Sequence, residues 1–511
     1  GALTVRWQAD SFAVTQEARG ATLHLKRAQR SGLLTVKATV DNGGIPTIAS
    51  ATIDVREPTK EAWTTRAADP DEKPADHQFY ARDDRGEGTL HCNGQLDRPG
   101  AKLTLTVTVD GKPYAQSTPT LVGDRYTSEV RLKSGLVRYR AVLTSELDGQ
   151  KAILHTADDL VCGDAFIIIG QSNAVSTDWG KGEGTYQSEW LRSFGSMSGS
   201  PQGLRLWGPA VHRNHQGGAL TIGYWGMELG QRIIEQQKVP VCFINGAVGG
   251  TRIDQHQRNT VNPTDMTTIY GRLLWRVREA KLTHGIRGIF WHQGENDQGA
   301  DGPTGGYGYE LYREFFHRMA GNWKSDYPNV QVYHLFQIWP KSCSMGVNGS
   351  DNYLREVQRR LPEDFARMTI QSTLGIDPPG GCHFPPAGYA EMARQLHPVV
   401  AREHYGFQPD GPVTAANLRT LKSNAAQNTL TLTFDQPIEW DDALCGQFSV
   451  DGITGVVTSG KVAGNVLTLS LKTPGGRTLT YLDSKNWSQK TLLRGTNGLA
   501  ALTFCAVPIT P

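Results

Sequence analysis

No run of this sequence approaches the ~18–20 consecutive apolar residues that a membrane-spanning helix needs. Neither sign of charge dominates. The 52 basic side chains stand against 50 acidic ones, a net charge of +2, so no long-range field draws in nucleic acid or an anionic membrane. The expected partner is neutral or small. None of the seven cysteines forms a C-x-x-C pair, which argues against a zinc ribbon or a thioredoxin-type motif. Cys445 with Cys505 and Cys343 with Cys382 are the candidate disulfides if the compartment is oxidising, and free buried thiols are the other reading. No internal repeat of fixed period is present, and no G-x-G-x-x-G fingerprint follows a strand.

What is present is a chain of 511 residues, enough for two to four domains with their own cores. Hydrophobic residues make up 38% and charged ones 20%, with 57 Gly and 26 Pro, a loop-rich but globular composition. From Leu3 to Leu154 short Thr- and Val-rich alternating runs (Ala21–Leu25, Leu34–Val40, Leu103–Val109, Val137–Leu143) are separated by Gly, Asp and Pro, the pattern of β-sandwiches. A polar, Pro-containing stretch from Glu57 to Asp76 divides this part into units at 1–60 and 75–158.

From Asp164 the period changes. Strands are expected at Phe166–Ile169, Val241–Ile244, Ile286–Trp291, Val330–Ile338 and Met368–Ile370. Helical patterns alternate with them at Trp225–Gln237, Ile269–Leu282, Tyr309–Trp323, Asn352–Arg360 and Ala387–Glu403. The alternation over 159–408 predicts an α/β unit, a doubly wound, mostly parallel sheet of flavodoxin-like type whose ligands sit beyond the strand C-termini. Past Gly406 the Thr/Leu/Val alternation returns (Thr429–Phe434, Val466–Leu471, Leu479–Leu482), predicting a β-sandwich over 409–511.

The chemistry should therefore lie just after the central strands. After the first comes Gly170-Gln171-Ser172-Asn173-Ala174, where Ser172 is a candidate nucleophile at a helix start; a plain N-cap explains it equally. After the second, Gly249-Gly250-Thr251 offers a backbone N–H to a bound oxygen, as an oxyanion hole requires, or is a tight turn. The third ends in Trp291-His292-Gln293-Gly294-Glu295-Asn296-Asp297, polar density that packing does not explain. Gln293 and Asn296 are uncharged amide donors, and Glu295 is suited to orient a histidine or loop groups. Beyond the fifth strand, His383 sits between Gly380-Gly381 and Pro385-Pro386, held as a general base should be. His212 and His215 have a spacing that metals use but no acidic or thiol partners nearby, so no metal and no cofactor is expected. Trp179, Trp207, Trp225 and Trp339 lie in or beside the loops over the site; one or two suit a sugar platform, with core filling the other reading, above all for Trp225.

Taken together, Gly163-Asp164, Gly170-Gln171-Ser172-Asn173, Gly249-Gly250-Thr251, Trp291-His292-Gln293-Gly294-Glu295 and His383 resemble the sialate O-acetylesterase-like branch of the SGNH hydrolases, over roughly Asp164 to His404. The resemblance implies an SGNH core acting as a serine carbohydrate O-acetylesterase on acetylated sugars, sialic acid or plant polysaccharide, through an acetyl-serine intermediate. It carries the nucleophile to Ser172, the base to His383, and the oxyanion donors to the N–H groups of Ser172 and Gly250 and the side chain of Gln293, with Asn296 the alternative. Many SGNH enzymes place an aspartate three residues before the histidine, and here that position is Gly380. Asp377 is the first choice of orienting acid, Glu295 the second, and a dyad helped by a backbone carbonyl the third. A secreted or periplasmic location is expected, the chain opening at Gly1 without Met or a leader. The rival reading is an inactive carbohydrate-binding scaffold on the same fold. An α/β-hydrolase lipase or peptidase fits poorly, because Ala174 replaces the last Gly of G-x-S-x-G.

Overall fold

A parallel strand buried on both faces reads as an unbroken apolar run, because either side of it meets a helix layer. The segment Ala165-Phe166-Ile167-Ile168-Ile169 is such a run. In the computed structural model, which describes residues 3–9, 14–27, 31–98, 100–176, 187–196, 203–212, 218–298, 308–340, 349–485 and 487–511, Phe166 and Ile168 enter one core while Ala165, Ile167 and Ile169 enter another. Trp225, Met227, Tyr389 and Met392 cover the first face. Tyr270, Leu274, Phe316 and Trp323 cover the second.

The central strands are β1 (Gln150–Gly170), β2 (Val241–Asn245), β3 (Ile286–His292), β4 (Val332–Gln337) and β5 (Met368–Ser372). They pair in parallel in the order 2-1-3-4-5. Leu191–Phe194 adds a further parallel strand beside β2. The helices are α1 (Ser172–Val175), α2 (Tyr224–Gln237), α3 (Ile269–Glu279), α4 (Tyr309–Asp326), α5 (Ser350–Arg360) and α6 (Pro386–Tyr405). All five strands and five helices expected from the periodicity are present, with ends shifted by a few residues. The exception is the first strand, which runs on far in the N-terminal direction.

That extension makes the sheet continuous with the β-rich segment before it. The first part of β1 pairs antiparallel with Tyr139–Leu147, which pairs with Lys102–Val109, so 11 strands share one sheet. A separate pair, Glu87–His91 with Glu129–Lys133, closes over the same apolar core through Leu90 and Leu132. Where β1 passes between its two sets of partners, Asp164 is fully buried. Arg82 donates to it twice at 2.8 Å, and Arg287 pairs with it at 2.7 Å. A buried carboxylate is tolerated only with such partners.

At the chain ends the sheets are separate. The N-terminal residues form a three-stranded sheet, Thr4–Ala9, Gly32–Asp41 and Thr47–Val55, and a hairpin, Val14–Arg19 with Thr22–Arg27. The C-terminal segment forms two four-stranded sheets whose inward residues, such as Leu432, Leu469, Phe448 and Tyr481, share one core. Cys445 and Cys505 are free thiols there, which corrects the expected pairing; burial of Cys505 pushes its thiol up to about 11. Cys382 is disulfide-bonded, and its expected partner Cys343 lies outside the described residues.

Candidate active site

Chain direction changes abruptly at Gly170. A Cβ there would meet the His292 carbonyl oxygen at 2.0 Å, and its φ of +138° suits glycine alone, so β1 leaves the sheet tight against the end of β3. The Gln171 carbonyl then accepts the N–H groups of Ala174 and Val175 in α1. Trp225 Nε1 donates to Asn173 O at 3.0 Å, and Asn245 Nδ2 to Ala174 O at 2.9 Å, which pins the short helix to α2 and β2. Ser172 is half-buried at the first helical position, and its N–H donates to no acceptor among the described residues.

The loops after β3 and β5 converge on the residues that flank this serine. Gln171 Oε1 accepts from Gly294 N at 3.3 Å and Asn296 N at 3.2 Å, while its Nε2 donates to Asn296 Oδ1 at 2.9 Å. Asn173, 2% exposed, donates through Nδ2 to Glu295 Oε1 at 2.7 Å and to Cys382 O at 3.0 Å. Tyr389 OH donates to its Oδ1 at 2.9 Å. The residue after the candidate nucleophile is thus bonded to the carbonyl of the residue before His383. The two loops are joined side by side, although Ser172 and His383 make no direct hydrogen bond in the structure.

His383 is half-buried, its Nε2 3.9 Å from Cys382 Sγ. Asp377 is exposed and makes no hydrogen bond or ion pair with it among the described residues. Glu295 faces Asn173 and, at 3.5 Å, His292 Nε2. Its other oxygen is buried without a partner, and burial raises its carboxyl above the usual range against the lowering effect of the Asn173 bond. His292 is pushed down to about 3 by burial.

Among the oxyanion candidates the structure separates free donors from committed ones. Gly250 is exposed with φ +71°, and its N–H has no acceptor among the described residues. The turn behind it is held by Thr251 Oγ1, which donates to Val248 O at 2.7 Å. Gln293 is fully buried, and its Nε2 is shared among Asp297 Oδ2, Thr251 O at 3.0 Å and Gln171 Oε1 at 3.3 Å. Asn296 is half-buried and has an amide nitrogen without an acceptor among the described residues, its oxygen being fixed by Gln171. Asp297 has its carboxyl pushed up to about 8 by burial, more than the bonds from Gln293 and Ile253 N lower it.

Trp207, Trp225 and Trp339 are buried and serve the core rather than a surface, and Trp179 and His215 lie outside the described residues. The His212 ring lies 5.4 Å from that of Tyr224, tilted by 44°. No cluster of three metal-ligating side chains occurs among the described residues. The linking roles of Gln171, Asn173 and Tyr389 were not read from the sequence. The available signal was the polar residue on either side of Ser172 in a segment that otherwise follows a core strand.

Residues 162–338 match the family described as carbohydrate esterase, sialic acid-specific acetylesterase. The resemblance carried by the sequence blocks holds for this segment. His383 lies beyond the matched residues. Among solved structures, a carbohydrate acetylesterase from Xanthomonas citri aligns with a TM-score of 0.60 at 18% identity, covering 85% of this chain and 98% of its own. It shares the mixed α/β fold with several sheets. A protein from Arabidopsis thaliana aligns at 19% identity over 47% of this chain and 98% of its own, TM-score 0.37. An acetyl xylan esterase from the rumen bacterium Butyrivibrio proteoclasticus aligns at 11% identity over 65% and 96%, TM-score 0.27. No curated protein matches the chain.

Proposed function

We propose that this protein is a carbohydrate O-acetylesterase working through Ser172 and His383. The observation that carries the reading is the hydrogen bond of Asn173 to Cys382 O, which ties the serine loop to the histidine loop at the strand C-termini. Ser172 Oγ attacks the acetyl carbonyl while His383 takes its proton, and the tetrahedral oxyanion is held by the N–H groups of Ser172 and Gly250. Asn296 supplies the third donor in preference to Gln293, whose amide is already shared among three acceptors. His383 then returns the proton to the departing sugar oxygen. In the second half-reaction it activates a water that attacks the acetyl-serine and frees acetate.

Asp377 is not the orienting acid in this reading, since that carboxylate is exposed and makes no bond to His383 among the described residues. Glu295 supports the serine loop through Asn173. We take the central sheet, with its 2-1-3-4-5 order, as a flavodoxin-like SGNH core over 159–408 and the segments at 1–60, 75–158 and 409–511 as β units flanking it. A secreted or periplasmic location suits the disulfide at Cys382, and no described helix is long and apolar enough to cross a membrane. The test is Ser172→Ala and His383→Ala, each assayed for acetate release from an aryl acetate and from a panel of acetylated glycans. A loss of at least about 10³-fold is expected for each. Near-wild-type turnover by a folded variant overturns the assignment.

A further inference from the structure

The C-terminal β segment is clamped to the first turns of α5. Ser484 N donates to Asn352 Oδ1 at 3.0 Å, Ser484 Oγ to Asp351 Oδ1 at 2.8 Å, and Arg355 Nη2 to Leu482 O at 3.0 Å. Because α5 follows β4, this clamp lies at the edge of the sheet where the strands end. Ser350 Oγ, at the start of α5, donates to Gln298 O, the residue after Asp297. From the clamp the chain reaches Trp487, whose ring meets Trp339 edge-on at 5.0 Å, and Trp339 meets Phe384, the neighbour of His383, at 5.9 Å.

On the outer side of the clamp opens a surface cleft of about 330 Å³. Tyr353, Arg477, Thr478 and Asp483 line it. Tyr353 is 43% exposed, yet its ring is stacked on Tyr309 at 4.9 Å with planes 23° apart. A flat apolar face braced in this way loses little freedom on binding. The Arg477 guanidinium makes no hydrogen bond or ion pair among the described residues, although its main-chain N–H donates to Asp451. Asp483 accepts from Lys485 N through one carboxylate oxygen, and the other has no partner among the described residues. An immobilised aromatic face flanked by a free donor fork and a free acceptor matches a pyranose ring, which offers apolar C–H faces and a rim of hydroxyls.

We propose that this cleft is a distal glycan subsite, binding sugar residues of an oligosaccharide beyond the one that carries the acetyl group. Tyr353 stacks on the ring, and Arg477 and Asp483 take its hydroxyls. The direction of the chain, from cleft to Ser172, rests on the esterase reading above. Binding in the cleft does not.

Two measurements keep these apart. The first is acetate release from chemically acetylated xylo- and manno-oligosaccharides of one to six residues. In wild type kcat/KM should rise with length, and Tyr353→Ala and Arg477→Ala should each cut the hexamer-to-monomer ratio three- to tenfold, with Tyr353→Trp restoring it. The second is calorimetric titration of the unacetylated hexamers, which needs no catalysis, with Tyr353→Ala expected to weaken binding by a similar factor. Both positions are at the surface, so the variants should fold. If wild type shows no length dependence and binds neither hexamer, or if both variants match wild type in both measurements, the subsite is refuted. If no acetylated glycan is hydrolysed but the hexamers bind in a Tyr353-dependent way, the esterase reading fails and the cleft stands.

Discussion

Asn173→Ala puts the joint between the serine and histidine loops to the test. The substitution deletes three side-chain hydrogen bonds, of 2.7, 3.0 and 2.9 Å, in a site with 2% exposure. Each buried bond is worth about 1 kcal/mol net. Glu295, Cys382 O and Tyr389 OH also lose their partner, so the expected destabilisation is about 3–5 kcal/mol. Loss of registration between Ser172 and His383 should lower kcat/KM for an aryl acetate by about 10²-fold, mostly in kcat, as a displacement of about 1 Å does. Instability alone does not explain such a loss if a comparably destabilised variant stays active. Asp164→Asn supplies it. It strips Arg82 of its buried carboxylate and leaves Arg287 only Asp84 at 3.6 Å, at about 3–5 kcal/mol, on the same strand about 20 Å before Gly170 at ~3.3 Å per residue. Both variants are measured by denaturant unfolding and by initial rates well below their unfolding temperatures. If Asn173→Ala keeps kcat/KM within threefold of wild type, or if Asp164→Asn loses as much activity, the joint has no part in catalysis.

Asn296→Ala should slow turnover 10²–10³-fold, about 2.7–4 kcal/mol of barrier, with little change in melting temperature, whereas Gln293→Ala should chiefly destabilise the fold; the reverse pattern returns the donor role to Gln293. Asp377→Ala should hold kcat/KM within threefold, and a loss beyond tenfold would make this carboxylate the orienting acid after all. Asp297, raised by burial to about 8, favours the folded state fully only while it is protonated in both states. Its contribution is complete below about pH 4 and is lost as pH climbs toward 8. The melting temperature of wild type should therefore fall more steeply between pH 5 and pH 8 than that of Asp297→Asn, and parallel curves would show that burial does not shift this group.

The central sheet was legible because its strands are covered on both faces and so carry apolar runs in place of alternation, as in Ala165–Ile169, all of them buried. The C-terminal strands Thr429–Phe434 and Val466–Leu471 were legible by alternation alone. The length of β1 was not. Its first half is largely exposed and its second half is wholly buried, so the two halves read as separate elements although the backbone never leaves the strand. Ser172 and His383 were visible as residues with unusual neighbours. A carboxylate to orient the histidine was not, because Gly380 occupies the usual position. The rank order of Gln293 over Asn296 rested on family likeness, and the committed hydrogen bonds of Gln293 emerge only when Thr251, Asp297 and Gln171 are brought together from separate segments. Disulfide choice depends on the meeting of distant segments, and both Cys445 and Cys505 end as free thiols.

The uninterrupted run of β1 from Gln150 to Gly170 bears on how the molecule can be taken apart. Excising the α/β half at residue 158 or 159 would sever a continuous ribbon in mid-span, strip away its pairing with Tyr139–Leu147, and remove the Arg82 that neutralises Asp164. The serine hangs from the far end of that same ribbon. In this architecture the preceding β segment is an inseparable foundation of the α/β unit, and neither gene truncation nor module swapping at that point should yield a folded product.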